Sequence, residues 1–234
     1  MKIFFLEKTD STNEYAKRLI KNTTIQLPFA VTAKFQTNGK GRQGNAWYSE
    51  YAKNVILSIA CHYNYDNVTL NKFLAISTIN TLKNIFPSLD FKIKWPNDII
   101  IKNKKIAGIL IEKIKSSYVG GIGINTNQTN FNGIPNASSI KNFIDTDVNN
   151  ELIIRKFVQT IEYWHQKLSK SAIHLMFDNS LKGVGEEVKV EINDKVYKVK
   201  IKEVNYYGQL VVVSPNGKFF SLYPGKAKIL YNSF

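Results

Sequence analysis

The hydrophobic period of this chain changes once, near Lys182, and that change limits what the chain can fold into. Before it, strand-like runs are interleaved with stretches of helical spacing. After it no helical spacing occurs, and short strands follow one another across turns such as Asn193-Asp194, Tyr207-Gly208 and Pro215-Asn216-Gly217. The predicted architecture is α+β: a mixed β-sheet flanked by helices over residues 1–182, then a small all-β unit over 183–234. The second piece, about fifty residues, is small for a core of its own, so a compact barrel leaning on the first unit is expected.

Within the first unit, residues 1–7 read as a strand. Ser11 followed three residues later by Glu14 is a capping-box pattern that starts a helix. Residues 29–36 and 53–62 read as strands, and 69–86 as a helix stopped by Pro87. Short strands at 91–95 and 99–102, a turn at Asn103-Lys104 and strands at 105–115 and 118–125 make a β-rich centre. Helical spacing returns over 151–168 and 173–181.

Apolar residues make up 44% of the 234 and charged residues 21%, a folded rather than a disordered composition. No apolar run approaches a membrane span, and the opening residues read as a strand instead of a leader, so a cytoplasmic protein is expected. The single Cys61 has no disulfide partner and lies in an apolar run, which argues for an inert thiol. A net charge of +14 favours acidic partners such as nucleic acid, anionic lipid, a nucleotide or an acidic protein. The lysines are scattered, and neither paired Cys/His ligands nor base-stacking motifs occur.

Four segments carry chemistry. Residues 39–47, Gly-Lys-Gly-Arg-Gln-Gly-Asn-Ala-Trp, place three glycines and two cations, Lys40 and Arg42, in a loop at a strand end. Such a loop suits an anion, and Arg42 offers a planar fork of donors; a solvated surface loop is the plainer reading. In Lys94-Trp95-Pro96-Asn97-Asp98 a rigid turn presents an amide beside a carboxylate. Lys105 stands across a predicted hairpin from Asp98, either as a snorkelling surface lysine or beside a ligand, which Gly108, an interior strand glycine suited to close approach of a ligand or another backbone, favours. Residues 120–125, Gly-Gly-Ile-Gly-Ile-Asn, leave one strand face bare for a flat group, with Asn125 as a polar contact, or mark a bulged strand in a crowded core. Ser11, Thr12 and Asn13 either start a helix or hydrogen-bond a neutral polar ligand together with Gln36. His62, His165 and His174 have no partner at a telling spacing.

In this order and spacing, Asp-Ser-Thr-Asn at 10–13, the basic glycine loop ending in Trp47, KWPND at 94–98, KKIAGIL at 104–110, GIGIN at 121–125 and the segment 137–140 resemble the biotin protein ligase family along the whole chain. The resemblance implies a class II synthetase-like catalytic domain with an SH3-like barrel. It implies activation of biotin by ATP to biotinyl-5′-AMP, with Mg²⁺, and transfer to a lysine of a biotin carboxyl carrier protein. By motif, Ser11, Thr12, Asn13, Gln36, Lys40, Gly41, Arg42, Lys105 and Gly108 would hold biotin. Arg42, Trp47, Asn97, Lys105 and Asn125 would hold ATP or the adenylate. Lys105, Arg42 and Asp98 would be catalytic, with Asp98 orienting or deprotonating the incoming amine. Some members carry an N-terminal DNA-binding domain, but this chain starts directly on the catalytic strand, so the form without that domain and without specific DNA binding is expected; no membrane partner is expected, and a homodimer is left open. Lipoate–protein ligation and a basic nucleic-acid-binding module are the alternatives. The family loop Gly-Arg-Gly-Arg-Arg-Gly-Arg is altered here to Lys40, Gln43 and Asn45, which implies looser adenylate retention. A family glutamate after the last glycine is replaced by Lys226.

Overall fold

A computed structural model describes residues 1–131 and 133–231. Five strands and two helices follow in the order β1 (Lys2–Thr9), α1 (Thr12–Asn22), β2 (Phe29–Gln36), β3 (Val55–Cys61), α2 (Asn67–Ile85), β4 (Lys92–Lys94) and β5 (Asp98–Ile101). Next come β6 (Lys104–Ile114), β7 (Ser117–Ile124), α3 (Lys141–Ile144), α4 (Asn150–Lys167) and α5 (Lys170–Ser180). The last five strands are β8 (Glu187–Ile192), β9 (Lys195–Val204), β10 (Leu210–Val213), β11 (Phe219–Leu222) and β12 (Lys228–Leu230).

The first sheet has seven strands in the order β1-β2-β3-β7-β6-β5-β4, with β1 and β2 parallel and the other neighbours antiparallel. Alternation along the central strand β7 shows how the layers are divided. A side chain at Gly121 would run into Asn13 of α1, whereas one at Gly120 would run into Leu74 of α2, so the two helices cover opposite faces. Phe29, Val31, Ala60 and Val119 pack with Ala16 under α1, while α2, α4 and α5 close the larger core on the other face. That core is continuous with Val190, Ile201, Leu210 and Val212 of the second sheet, so the two sheets share one apolar interior. Cys61 is buried within it, and burial pushes its thiol up to about 12, which keeps it protonated. Among the described residues no helix is long and apolar enough to cross a membrane.

Two local readings change. Ser11 is the helix-capping residue of α1 by backbone geometry, but its hydroxyl makes no cap; the first amide, Thr12 N–H, donates instead to Gln36 Oε1 of β2 at 2.7 Å. The Glu14 carboxylate is taken by the Lys17 and Lys40 ammonium groups, which outcompete the neutral backbone donor of a capping box. The β5–β6 turn falls one residue earlier, on Lys102 and Asn103, both left-handed as a tight two-residue hairpin turn demands. The second sheet, β11-β10-β9-β8-β12, is antiparallel throughout and is the small all-β unit expected after Lys182; among the described residues no ladder joins β11 to β12.

A buried cation ties the second sheet to the first. The Lys72 ammonium of α2 lies 2.6 Å from the Val204 carbonyl, 3.2 Å from the Asn205 carbonyl and 2.6 Å from His174 Nδ1. This fixes the turn after β9, whose Gly208 carbonyl accepts the Trp95 indole N–H at 3.0 Å. Burial lowers the Lys72 pKa from 10.5 to about 8, against the pull of Asp178, Glu203 and Asp66. Between those values the unfolded chain binds the proton that the folded chain has released, so Lys72's contribution to stability rises with pH through that window. The stability gap between the unmodified protein and Lys72→Met should therefore widen in favour of the former from pH 8 to 10.5, by up to about 3 kcal/mol in urea unfolding. A gap that stays constant would contradict a desolvated ammonium.

Candidate active site

The site begins as a row of missing side chains. Gly108 of β6 stands directly opposite both Asp98 of β5 and Gly123 of β7, and Gly123 stands opposite Ile56 of β3. Paired residues in neighbouring strands share a face, so Gly108 and Gly123 form a bare strip across the sheet with Asp98 at its end. One row away, Gly121 pairs with Ser58. The cavity above these rows, about 340 Å³, lies between the sheet, the glycine loop, the start of α1, the 95–98 turn and the β11–β12 connection.

Lys105 reaches this face because of a β-bulge. Ile99 pairs with Ala107 and Ile100 with Lys105, leaving Ile106 as an extra residue buried in the core. Without it, Lys105 and Gly108, three apart, would point to opposite faces. Instead a side chain at Gly108 would meet the Lys105 Nζ at 3.3 Å. The Lys105 ammonium pairs with Asp98 at 2.8 Å and lies 5.5 Å from the Trp47 ring centre. Its backbone is held on both sides by residues 136–138, through Lys105 N to the Asn136 carbonyl and Ser138 N to the Lys105 carbonyl.

The polar end of the cavity is built around α1. Ser11, Thr12 and Asn13 are buried, at 3%, 2% and 4% exposure. Gln36 Oε1 accepts from both the amide and the hydroxyl of Thr12. Asn13 Nδ2 donates to Glu112 at 2.7 Å, which turns Asn13 Oδ1 toward the Ser58 hydroxyl at 2.6 Å; Glu112 is held in turn by Lys17 at 2.6 Å. Asp10 braces the entry to α1 through a two-point pair with Arg18, and that guanidinium holds its carboxyl well below the usual range.

The glycine loop is a small hairpin, with Lys40 bridged to Ala46 and Trp47 N–H donating to the Gly39 carbonyl at 2.9 Å. Lys40 leans out to Glu14 at 2.6 Å. Arg42 is half-buried, and burial draws its pKa below the usual value while Asp98 opposes the shift; its guanidinium donates to Asn97 Oδ1 at 3.0 Å. Asn97 is itself fixed by donating to the Ile109 carbonyl at 2.7 Å. The Trp47 indole lies on the bare strip, where any side chain at Gly123 would overlap it and one at Gly108 would approach its ring to 3.0 Å. Its N–H is buried without a hydrogen-bond partner among the described residues.

Ser11, Thr12, Asn13, Gln36, Lys40, Gly41, Arg42, Trp47, Asn97, Asp98, Lys105 and Gly108 thus line one cavity. Asn125 does not. Its buried amide donates to the Ser138 carbonyl at 3.0 Å and braces the 136–140 segment behind Lys105. The flat group expected on the glycine strand is the protein's own indole. Sequence reasoning missed Ser58, although a lone hydroxyl inside the apolar run 55–61 was a readable signal. Glu112, Lys17 and the cavity-lining Gly225 and Lys228 carried no local signal. The indole's seat has a direct check. Gly123→Ala should expel it and shift tryptophan emission to the red, and the shift should vanish in a Trp47→Phe background; unchanged emission would contradict the placement.

Solved structures share this fold. A biotin protein ligase from Aquifex aeolicus, in complex with biotin and ATP, matches with a TM-score of 0.80 at 23% identity over 99% of both chains. One from Leishmania major, in complex with biotinyl-5-AMP, matches with a TM-score of 0.70 at 20% identity over 95% of this chain and 99% of the other. Among curated proteins, the bifunctional ligase/repressor BirA of Escherichia coli is 30% identical over 124 residues, 50% of this chain and 38% of that protein. The biotin–[acetyl-CoA-carboxylase] ligase of Mycobacterium tuberculosis is 30% identical over 116 residues, 47% of this chain and 44% of that protein. The chain spans about two fifths of the length of the curated relatives it matches. The family model of the biotin/lipoate A/B protein ligases matches residues 5–128, more than half of the 234, and the chain belongs to that family.

Proposed function

We propose that this chain is an ATP-dependent biotin protein ligase of the cytoplasm, which forms biotinyl-5′-AMP and transfers the biotinyl group to a lysine of an acidic biotin carrier domain. The observation that carries the reading is the charge layout of one cavity: a neutral polar end at buried Ser11, Thr12 and Asn13 with half-buried Gln36, and a cationic end at Arg42 and Lys105. A ligand with an uncharged cyclic urea at one end and a carboxylate at the other matches both. Residues 1–182 would carry the chemistry and 183–234 a smaller supporting unit. The names of the relatives favour biotin over lipoate, which the family description also covers.

In the first step a carboxylate oxygen of biotin attacks the α-phosphorus of ATP, the bond to the β-phosphate oxygen breaks, and pyrophosphate leaves. Two anions must meet, so cations have to hold them together. Arg42 is tethered to a neutral amide, Asn97, which a phosphate displaces at small cost. Lys105, swung from Asp98 onto the acyl phosphate, would span carboxyl and phosphate oxygens, and its departure would leave Asp98 a free acceptor. In the second step the substrate amine attacks the acyl carbon, the bond to the phosphate oxygen breaks, AMP leaves, and Asp98 takes the amine proton. Mg²⁺ fits as a companion of the triphosphate, because Asp98 is the one carboxylate of the cavity lining among the described residues and Mg²⁺ keeps mostly water and phosphate oxygens. It would supply charge neutralisation on the leaving pyrophosphate. The Glu14 partner of Lys40 and the neutral Gln43 make the loop less cationic toward the ligand, in keeping with looser adenylate retention.

Biotin-dependent exchange of pyrophosphate into ATP tests this reading, since it requires the first step alone. Exchange is expected with biotin, and Lys105→Met should lower it by about 10² to 10³-fold. Asp98→Asn should slow transfer to a carrier lysine more than it slows exchange. Exchange with lipoate but not biotin would transfer the assignment to lipoate ligation, and exchange with neither would remove the ligase reading.

A further inference from the structure

The neutral end of the cavity has a direction, and that direction is set from behind it. Carboxamides and hydroxyls can each donate or accept, so a row of them is ambiguous unless its ends are groups that do only one. Both ends here are of that kind. At one end the Thr12 backbone N–H can only donate, and it meets Gln36 Oε1 at 2.7 Å. At the other the Glu112 carboxylate can only accept; one oxygen takes Asn13 Nδ2 at 2.7 Å and the other the Lys17 ammonium at 2.6 Å. Between them the Ser58 hydroxyl lies 2.6 Å from Asn13 Oδ1 and 2.8 Å from Thr12 Oγ1, and the Thr12 hydroxyl donates to Gln36 Oε1 at 3.1 Å.

Glu112 is not part of the cavity lining; it stands behind Asn13. Strand alternation from Gly108 brings Leu110 and Glu112 to the same face of β6, the one that α1 covers, and Leu110 pairs with Gly121 of β7. Asn13 lies over Gly121, and its Oδ1 is the atom nearest to where a side chain there would begin, at 2.6 Å. With a donor committed to Glu112, Asn13 turns its oxygen to Ser58 and the bare Gly121 at the cavity floor. That oxygen has two acceptor positions, of which Ser58 fills one. Lys17 balances the carboxylate, so this end stays neutral although an acid orients it. We propose that Glu112 is a positioning residue that sets substrate specificity. It holds Asn13 Oδ1 as an acceptor, so the site selects a ligand whose ring presents N–H donors, such as a cyclic urea, over a ring that presents none, such as a dithiolane. The consequence for the substrate rests on the biotin ligase reading; the direction of the row does not.

Three variants beside the unmodified protein test this. Glu112→Gln keeps the size and shape of the side chain, but its one oxygen goes to the Lys17 ammonium, the stronger donor, and an N–H group then faces Asn13. Asn13 must flip to accept from it, which turns Nδ2 toward Ser58 and removes the acceptor from the floor. Asn13→Asp alone sets one carboxylate against another. The two changes together restore the pattern with the charge moved one place along the row: the amide at position 112 donates to a carboxylate at position 13, which again offers oxygen to Ser58 and the cavity.

Calorimetric titration with biotin, in the absence of ATP, is expected to give a Kd raised about tenfold in each single variant and back within about threefold of the unmodified protein in the double variant. Lipoate, whose ring offers no N–H, should change its Kd by less than about twofold across the series. In biotin-dependent pyrophosphate exchange Glu112→Gln should raise KM for biotin and leave kcat within about twofold, because Arg42 and Lys105 act at the other end. Urea unfolding without ligand reads the row itself: each single variant should lower the midpoint and the double variant should recover it. Additive losses in the double variant, single variants with unchanged biotin affinity, or recovery of stability without recovery of biotin affinity would each overturn the proposal. If the unmodified protein binds no biotin, the ligase reading falls instead, and the urea series still decides whether Glu112 directs the row.

Discussion

The architecture of the site depends on the bare strip formed by Gly108 and Gly123 in the middle of a seven-stranded sheet. Side chains normally stand on both faces of a strand, and a ring or ligand cannot reach the backbone between them. Removing two facing side chains in adjacent strands opens a floor at backbone level, and removing the one at Gly121 lets Asn13 of α1 descend beside it. The strip is occupied by the Trp47 indole, whose buried N–H has no acceptor among the described residues, an arrangement that a polar ligand group would relieve. The same floor brings Lys105 and Asp98 to the ligand's level, because the bulge at Ile106 turns the lysine onto that face.

Around this floor the charges are held in paired positions. Lys40, Arg42 and Lys105 each have an internal partner, and the three partners differ in kind: a half-exposed carboxylate, an amide and a carboxylate inside the cavity. On the proposed reading, an arriving anion would meet a half-buried Arg42 guanidinium and a Lys105 ammonium already oriented by its partner, so less reorganisation would remain for the reacting geometry. The second sheet contributes from behind and from above. Lys72 fixes the turn that receives the Trp95 indole N–H under the 95–98 segment, and the Gly225 turn meets the loop at the mouth.

Much of this was legible in the sequence, and the reasons are local. Strands at 29–36 and 118–125 and the helix at 69–86 follow from apolar period, and the change of period near Lys182 marks the second sheet. Twelve of the thirteen residues singled out line one cavity, because their segments are loops and strand ends with uncommon residue types. What was not legible is relational. The capping box at Ser11 failed because Gln36, distant in sequence, supplies the acceptor, and Lys40 claims Glu14. Asn125 looked like a ligand contact because its role in bracing Ser138 depends on the fold. The bulge at Ile106 leaves no compositional trace, and the roles of Glu112 and Lys17 exist only once α1 lies on β6.

On the proposed reading, one ligand lies along the cavity with its neutral ring at Ser11, Thr12, Asn13 and Gln36 and its acyl phosphate at Arg42 and Lys105. A crystal structure with a non-hydrolysable biotinyl-adenylate analogue tests this most directly. The cyclic urea should lie within hydrogen-bond distance of Thr12 or Asn13, the acyl-phosphate mimic on the Lys105 ammonium, and Lys105 should be withdrawn from Asp98. A ligand bound elsewhere, or one bound in the cavity with the Lys105–Asp98 pair intact and its acyl-phosphate mimic touching neither cation, would contradict it.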